Sequence, residues 1–269
     1  MSDRLDVSVA GASRMSDSLP GSGPLPPSAS AMVTHLPVLS ADLPANRVGV
    51  LRSVRGTAAW LFRRHWRIRL HGLRHVPSDG PAILAANHIG VLDGPLLVSM
   101  TPRATFTLAK SDLFEGRVGR LLEAAGQIPV HQREIDTRAL RRAIKVLDEG
   151  HLLGIFPEGG RDIGDMARIR GGAAYLAMVT GAPIIPVALL GTREPGQSVK
   201  DVPRRGAEMH IVYGEPIAID RTPWPRRQQV VTARTEEVRR QLAAHVARAE
   251  VLTGMALPGV PAPKAPAAA

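Results

Sequence analysis

Short apolar runs alternate with longer helical patterns from residue 68 to residue 250, and this alternation constrains the fold more than any other feature. Most of the runs are continuously apolar, which is typical of strands buried on both faces of a sheet. The runs cover residues 68–71, 82–86, 104–108, 127–130, 152–156, 183–189 and 209–213. The helical patterns lie near residues 93–100, 115–125, 136–149, 168–180 and 225–250. This order predicts an α/β fold with a mixed, largely parallel sheet flanked by helices.

The two ends of the chain differ in composition from its middle. Residues 1–45 are rich in Ser, Pro, Ala and Gly and have no sustained period, and the last residues are rich in Pro and Ala. Such segments cannot bury enough apolar surface to offset the loss of chain entropy on folding. We therefore predict disordered tails over residues 1–45 and 253–269, on either side of one domain over residues 46–252.

The strong positive charge of the chain bears on which molecules it can bind. The net charge is +10, and only four of the 34 basic residues are lysines. Codon bias toward Arg, Ala, Gly and Pro is one explanation, and a basic surface that faces anionic lipid or a phosphorylated substrate is another. Aromatic residues make up only 3% of the chain, which is too few for base stacking, and no nucleic-acid-binding motif is present.

The absence of cysteine excludes disulfides, a cysteine nucleophile and thiolate metal sites, and it fits a reducing compartment. The N-terminal residues lack the compact apolar run of a secretory signal. No stretch of 18 apolar residues is free of charge, so we expect no membrane-spanning helix. These features predict a cytoplasmic protein that is peripheral on the inner face of the cell membrane.

Residues 47–66 form an N-terminal amphipathic helix in our prediction. Apolar residues recur there at steps of three and four, arginines lie between them, and Trp60 and Trp66 lie near the basic end. A basic helix with indole side chains suits a membrane interface. The same pattern is also typical of a surface helix whose apolar stripe packs on its own sheet.

His88 and Asp93 are separated by four residues and follow the apolar run 82–86. A regular helix advances about 100° per residue, so the two side chains cannot meet on one helix. They can meet when His88 lies on the turn that leaves a strand and Asp93 begins the next helix. Gly90 permits that turn, and Pro95 is typical of a first helical turn. Asp93 would then orient one imidazole nitrogen and leave the other to accept a proton; the alternative is that Asp93 only caps the helix.

A second polar cluster follows the apolar run 152–156 and consists of Pro157, Glu158, Gly159, Gly160 and Arg161. The two glycines allow backbone N–H groups to approach an anion, and the guanidinium can bind phosphate oxygens with two N–H groups. The carboxylate is a candidate for holding an acceptor hydroxyl. The alternative is a surface turn, because Pro, Glu and Gly are common turn residues. Ligands of α/β sheets bind beyond the carboxyl ends of strands, so we expect both clusters at one edge of the sheet.

Taken together, these segments resemble the glycerolipid acyltransferase family, whose best-known members are 1-acyl-sn-glycerol-3-phosphate acyltransferases. The resemblance covers about residues 47–250, and the segments occur in the family's order. Residues 72–84 are similar to the approach to the first family block, and His88 with Asp93 matches its histidine and aspartate signature. The other matching blocks are residues 126–130, 156–161 and 183–187. The resemblance implies a glycerol-3-phosphate acyltransferase-like fold.

The resemblance also implies a role for each matching residue. His88 is the implied catalytic base and Asp93 its partner. The implied acceptor-binding residues are Glu158, Gly159, Gly160, Arg161, Arg133, Lys110 and Arg170. The family usually has threonine and serine where this chain has Gly160 and Asp162, which leaves the identity of the acceptor open.

The implied activity is transfer of a fatty acyl group to the hydroxyl of a lysophosphatidic-acid-like acceptor. Acyl-CoA or acyl carrier protein is the expected co-substrate, and no metal or other cofactor is expected. The expected partners are the acyl donor, the glycerol-phosphate lipid and an anionic membrane surface, without nucleic acid. Other hypotheses are acyl transfer to another lysolipid or a glycolipid, and a non-catalytic lipid-binding protein of the same fold. A Ser-His-Asp hydrolase is disfavoured because no Gly-x-Ser-x-Gly segment is present.

Overall fold

The computed structural model describes residues 48–131 and 136–262, which contain seven strands and six α-helices. The strands are β1 (Arg67–His71), β2 (Ala82–Ala86), β3 (Thr105–Lys110), β4 (Ile128–Val130), β5 (Leu152–Ile155), β6 (Ile184–Leu190) and β7 (Glu208–Tyr213). The helices are α1 (Val48–His65), α2 (Asp93–Met100), α3 (Gly116–Ala124), α4 (Thr137–Asp148), α5 (Gly172–Thr180) and α6 (Gln228–Thr253). Each predicted strand and helix therefore has a counterpart in the structure.

The strands form one sheet in the order β1-β7-β6-β2-β5-β3-β4. All neighbouring pairs are parallel except β6 and β7. The prediction of a mixed, largely parallel sheet flanked by helices is confirmed. Because β6, β2 and β5 are adjacent and parallel, their carboxyl ends lie side by side at one edge of the sheet.

The central strands are apolar because both faces of the sheet are covered. All five residues of β2 are buried, and they point alternately to two separate cores. Ile83 and Ala85 contribute to the core that includes residues of α4, α5 and α6. Leu84 contributes to the core that includes residues of α1 and α2.

Helix α1 packs against the sheet along one side and leaves large apolar side chains on the other. Leu51 and Ala59 are buried, whereas Trp60 is 64% exposed and Leu61 is 48% exposed. The buried face of α1 therefore contains Leu51 and Ala59, and Leu61 lies on the exposed face. One side of α1 packs on the domain, as expected for a surface helix, and its other side still exposes apolar side chains.

Helix α5 is shorter than predicted, because residues 157–171 form a long loop before it begins at Gly172. The Arg170 N–H donates to the Pro157 carbonyl at 2.7 Å, which closes this loop at its base. No helix in the described part of the chain is long and apolar enough to cross a membrane. The disordered tails stay a prediction over residues 1–45 and 263–269, which lie outside the described residues. Residues 253–262 of the predicted C-terminal tail are instead ordered against the domain, since the Ala262 N–H donates to the Gln197 carbonyl at 3.1 Å.

Candidate active site

Three loops follow the carboxyl ends of the adjacent strands β6, β2 and β5, and they meet at that edge of the sheet. The loop after β2 contains His88, the loop after β5 contains Glu158 and Arg161, and the loop after β6 contains Thr192 and Arg193. The Asp162 N–H donates to the His88 carbonyl at 2.9 Å, which ties the first two loops together. Residues far apart in the chain therefore share one small region at this edge.

Asp93 is fully buried and accepts four hydrogen bonds. Its Oδ2 accepts from His88 Nδ1 at 2.8 Å and from the N–H groups of Ile89 at 2.7 Å and Gly90 at 2.8 Å. Its Oδ1 accepts from the Thr192 hydroxyl. Asp93 is the first residue of α2, whose N-cap is Leu92 without a side-chain cap. The carboxylate thus serves the preceding turn instead of capping the helix.

The hydrogen bonds of Asp93 fix the tautomer of His88. Backbone N–H groups can only donate, so Oδ2 acts as an acceptor and the proton of this contact belongs to His88 Nδ1. Nε2 is then the unprotonated ring nitrogen, and it has no hydrogen bond to the described residues. The ring stacks on Phe156 with centroids 4.2 Å apart and is 16% exposed. His88 therefore presents a proton acceptor at a partly open position.

The turn between β2 and α2 lies too close to the β6 loop for a side chain at position 90. A Cβ added to Gly90 would lie 2.6 Å from the Thr192 carbonyl oxygen. The Asn87 side chain accepts from the Leu189 N–H at 2.7 Å and donates to the Leu189 carbonyl at 3.1 Å. These contacts hold the His88 turn against β6.

Glu158 supports the same turn from the other side. Its Oε2 accepts from the His88 N–H at 2.8 Å, and its Oε1 accepts from the Met166 N–H at 3.4 Å. Burial raises the pKa of Glu158 to about 7, although both N–H groups favour the ionised form. The carboxyl group thus binds protein backbone, whereas the sequence suggested that it holds the acceptor.

The loop after β5 turns sharply at Gly159, whose φ is +73°. A Cβ at this position would lie 2.3 Å from Arg170 Nε, so only glycine leaves room for the arginine side chain. Gly160 is exposed, and a Cβ added there would meet no atom within 4 Å. The structure thus brings Arg170 against Gly159 and leaves Gly160 open to solvent.

Arg161 is half-buried, and its Nε is buried without a hydrogen-bond partner among the described residues. An unpaired buried donor costs about 1–3 kcal/mol. A bound anion would remove that cost by accepting this N–H, and its neighbour Asp162 is joined directly to His88. Arg161 is therefore a candidate anion ligand in the loop that is bound to the His88 turn.

Comparison with known proteins agrees with this geometry. Residues 67–190, which contain the three central parallel strands and the first two loops, match the family model described as Acyltransferase. Residues 67–190 therefore belong to the acyltransferase family. The resemblance inferred from the sequence is confirmed.

The chain is similar to two bacterial lipid acyltransferases, over 64% and 47% of its length. It is 29% identical over 175 residues to a 1-acyl-sn-glycerol-3-phosphate acyltransferase of Bacillus subtilis, covering 64% of this chain and 80% of that protein. It is 37% identical over 131 residues to the protein of that name in Borreliella burgdorferi, covering 47% of this chain and 52% of that protein.

A solved structure shares the fold of this acyltransferase. The 1-acyl-sn-glycerophosphate acyltransferase PlsC of Thermotoga maritima superimposes with a TM-score of 0.54 at 23% identity. The match covers 74% of this chain and 80% of that chain. At this identity the likeness concerns the fold alone.

Lys110, which the sequence suggested for acceptor binding, is not among the residues that meet at His88. Lys110 is the last residue of β3, is exposed and pairs with Asp112 at 2.5 Å. Strand β5 separates β3 from β2, so Lys110 lies two strands away from the His88 turn. Arg133 lies outside the described residues.

Sequence reasoning missed Thr192 and Arg193 of the acyltransferase. Both are buried, and both contact the His88 turn or the residues that support it. Their position in the sequence was the available signal: they follow the strand β6 after one glycine, much as His88 follows β2 after Asn87. A search for polar residues after each parallel strand would have found them.

Proposed function

We propose that this acyltransferase moves a fatty acyl group from a thioester donor to the hydroxyl of a lysophosphatidic-acid-like acceptor. The observation that supports this proposal best is the oriented His88 imidazole on a turn that is bound to the loop of Arg161, whose buried Nε has no partner among the described residues. The first group suits removal of a hydroxyl proton, and the second suits a phosphate oxygen. The names of the related proteins point to the same acceptor.

The reaction needs no covalent intermediate on the protein. Nε2 of His88 takes the proton of the acceptor hydroxyl as that oxygen attacks the thioester carbonyl carbon. Asp93 stabilises the imidazolium that results. The tetrahedral intermediate then collapses, the carbon–sulfur bond breaks, and the imidazolium returns its proton to the leaving thiolate. The products are an ester and a free thiol, so atoms and charges balance.

Either acyl-CoA or acyl carrier protein can supply the thioester in this proposal, because the chemistry at the carbonyl is the same. No metal or organic cofactor is required, since base catalysis and charge stabilisation come from side chains. The donor is distinguished by measuring thiol release separately from acyl-CoA and from acyl-acyl carrier protein with one fixed acceptor. Faster turnover at equal concentration identifies the preferred donor.

Residues 157–171, which we call the acceptor loop, favour a second candidate acceptor within the same reaction class. Gly160 and Asp162 replace hydroxyl residues that are usual in the family, and both are exposed. Another lysolipid or a glycolipid with a different headgroup could therefore be the preferred acceptor. A panel with lysophosphatidic acid, glycerol 3-phosphate, other lysophospholipids and monoacylated glycolipids separates these acceptors.

We further propose that α1 places the enzyme on the inner surface of an anionic membrane. This helix contains no acidic residue, and Arg63 and Arg64 are exposed near Trp60 and Leu61. Indole rings and arginines together suit the interface of an anionic bilayer. Co-sedimentation with phosphatidylglycerol vesicles should be lost when Trp60 and Leu61 are both changed to Glu, and neutral phosphatidylcholine vesicles should bind weakly.

One experiment tests the activity itself. Purified protein is mixed with acyl-CoA and each acceptor, and thiol release is followed for wild type and His88→Ala. We expect release that depends on a phosphorylated acceptor and on His88. Vesicle binding without thiol release from either donor, across the whole panel, would favour the non-catalytic lipid-binding alternative.

A further inference from the structure

Arg193 is 1% exposed, although its side chain carries a positive charge. It forms no ion pair with the described residues, and its guanidinium donates instead to four backbone carbonyls. The acceptors are Ile89 at 2.8 Å, Gln197 at 3.2 Å, Asp162 at 3.0 Å and Gly259 at 2.8 Å. A charge buried at this depth is stabilised only when most of its donors are satisfied, as they are here.

Three of the four carbonyls belong to segments that are remote in sequence. Ile89 follows His88 directly, Asp162 follows Arg161 directly, and Gly259 lies beyond α6. A guanidinium has five N–H groups in one rigid plane, so it can hold several carbonyls at fixed relative positions. Arg193 thus connects the residue after the candidate base to the residue after the candidate phosphate ligand.

The third segment, residues 255–262, is a C-terminal strap that passes behind the acceptor loop. The Ala262 N–H donates to the Gln197 carbonyl at 3.1 Å, and the Leu257 N–H donates to Glu250 Oε1 at 2.7 Å. The Leu257 side chain approaches Gly164 of the acceptor loop, since a Cβ there would lie 3.6 Å from Leu257 Cδ2. Arg193 Nη2 donates to both Asp162 and Gly259, so it joins the strap to the acceptor loop.

We propose that Arg193 is a positioning residue that sets the distance between the proton acceptor on His88 and the anion cradle at Arg161. This inference rests on the proposed acyl transfer for its kinetic consequence. Misplacement of reacting groups by about 1 Å can cost roughly 100-fold in rate. Arg193 acts through the backbone of both loops and touches neither substrate nor His88 Nε2.

The chain contains a matched control at the opposite edge of the sheet. Arg103 also donates to three carbonyls, those of Pro77 at 3.0 Å, Gly80 at 2.8 Å and Gly150 at 2.7 Å. These residues precede β2 and β5, far from the loops at the carboxyl ends. Arg103→Gln therefore removes a comparable set of backbone contacts without touching the site.

The test compares Arg193→Gln, Arg193→Lys and Arg103→Gln in the full chain. Thermal unfolding gives the stability of each variant, and thiol release gives kcat and KM. We expect Arg193→Gln to lower kcat by roughly 100-fold, whereas Arg103→Gln keeps kcat within about threefold of wild type at a similar loss of Tm. Arg193→Lys keeps the charge without the planar fork and should remain at least tenfold slower than wild type.

A readout without turnover separates this inference from the proposed function. Hydrogen exchange of peptides that cover residues 86–93 and 158–166 should be faster in Arg193→Gln and unchanged in Arg103→Gln. If wild type shows no thiol release with any acceptor while these peptides respond as expected, the proposed function is wrong and the positioning role stands. Equal kcat losses in both Gln variants, or full activity in Arg193→Lys, or unchanged exchange would overturn the positioning role. If Arg193→Gln does not fold, kcat and hydrogen exchange of Arg193→Lys are compared with those of Arg103→Gln instead.

Discussion

The Thr192 hydroxyl donates to Asp93 Oδ1, the carboxylate oxygen that His88 does not use. The oxygen that faces the imidazole is shared with two backbone N–H groups of the turn. Both oxygens of this buried carboxylate are therefore occupied, and its plane cannot rotate without breaking a hydrogen bond. The orientation of His88 depends on a hydroxyl that comes from a different strand.

Thr192→Val should disturb this arrangement while keeping the volume of the side chain. Loss of a hydrogen bond to a buried charged group costs about 1–3 kcal/mol, so we expect a lower free energy of unfolding and a lower kcat. Thr192→Ser keeps the hydroxyl and should stay close to wild type in both. Chemical denaturation and thiol release measure the two effects, and a Val variant as active as the Ser variant would contradict the role of Thr192.

His88→Ala should remove the proton acceptor and lower kcat by about 10²–10⁴-fold. His151→Ala is the matched control, because His151 is also partly buried but precedes β5 at the opposite edge of the sheet. Circular dichroism should show that both variants are folded. Retention of kcat by folded His88→Ala, or an equal loss in His151→Ala, would rule out His88 as the base.

Arg161→Ala should mainly raise KM for a phosphorylated acceptor. A charge-assisted hydrogen bond contributes about 1.5–3 kcal/mol, which corresponds to roughly a 10- to 100-fold change. Arg168→Ala, an exposed arginine of the same loop, should leave KM within about threefold of wild type. The phosphate assignment fails if both variants raise KM equally, or if the change is as large for an unphosphorylated monoacylglycerol.

Two neighbouring glycines should respond differently to the same substitution. Gly159→Ala places a Cβ against Arg170 Nε and requires a left-handed conformation, which costs about 1–2 kcal/mol for a non-glycine residue. Gly160→Ala meets open space and should change stability by less than about 0.5 kcal/mol. Thermal unfolding and the acceptor KM are measured for both variants. Equal Tm and KM values in the two variants would mean that the turn at Gly159 is not constrained.

The pKa of Glu158 predicts how stability varies with pH. Burial raises this pKa from 4.5 to about 7, so the folded protein binds a proton that the unfolded chain has released. The stabilising contribution of the protonated form is complete below about pH 4.5 and is lost as pH rises to about 7. Glu158→Gln has no such titration, so its Tm should fall less than that of wild type between pH 5 and pH 8. Parallel Tm curves across this window would show that Glu158 does not titrate in this range.

The burial of the central strands on both faces explains why the strands and helices were largely predictable from the sequence. Continuous apolar runs such as residues 82–86 predict strands that are covered on both faces, and the structure buries all five residues of β2. The boundaries of α5 were less predictable, because residues 168–171 have no local signal that separates a loop from a first helical turn. There the Arg170 N–H binds Pro157, a contact between positions that no periodicity reveals.

A contact in the candidate site was predictable when both hydrogen-bonded residues lie in one short segment. It was unpredictable when the two residues follow different strands. The contact of His88 with Asp93 followed from a turn within a few residues, and the structure contains it at 2.8 Å. The contacts of Thr192 and Arg193 depend on β6 lying beside β2, which the sequence does not specify. Glu158 illustrates the same limit, since its hydrogen bond to the His88 N–H requires β5 on the other side of β2.

The position of β2 in the sheet has a consequence for synthesis of the chain. Ala82 pairs with Leu152 and Ile83 pairs with Ile184, so the middle strand emerges from the ribosome long before either neighbour. Until then the backbone N–H and C=O groups of this apolar strand are open to pairing with other chains, and a ribosome that stalls before residue 190 releases an aggregation-prone fragment. Chaperone binding to nascent chains should therefore be strongest between translation of β2 and translation of β6.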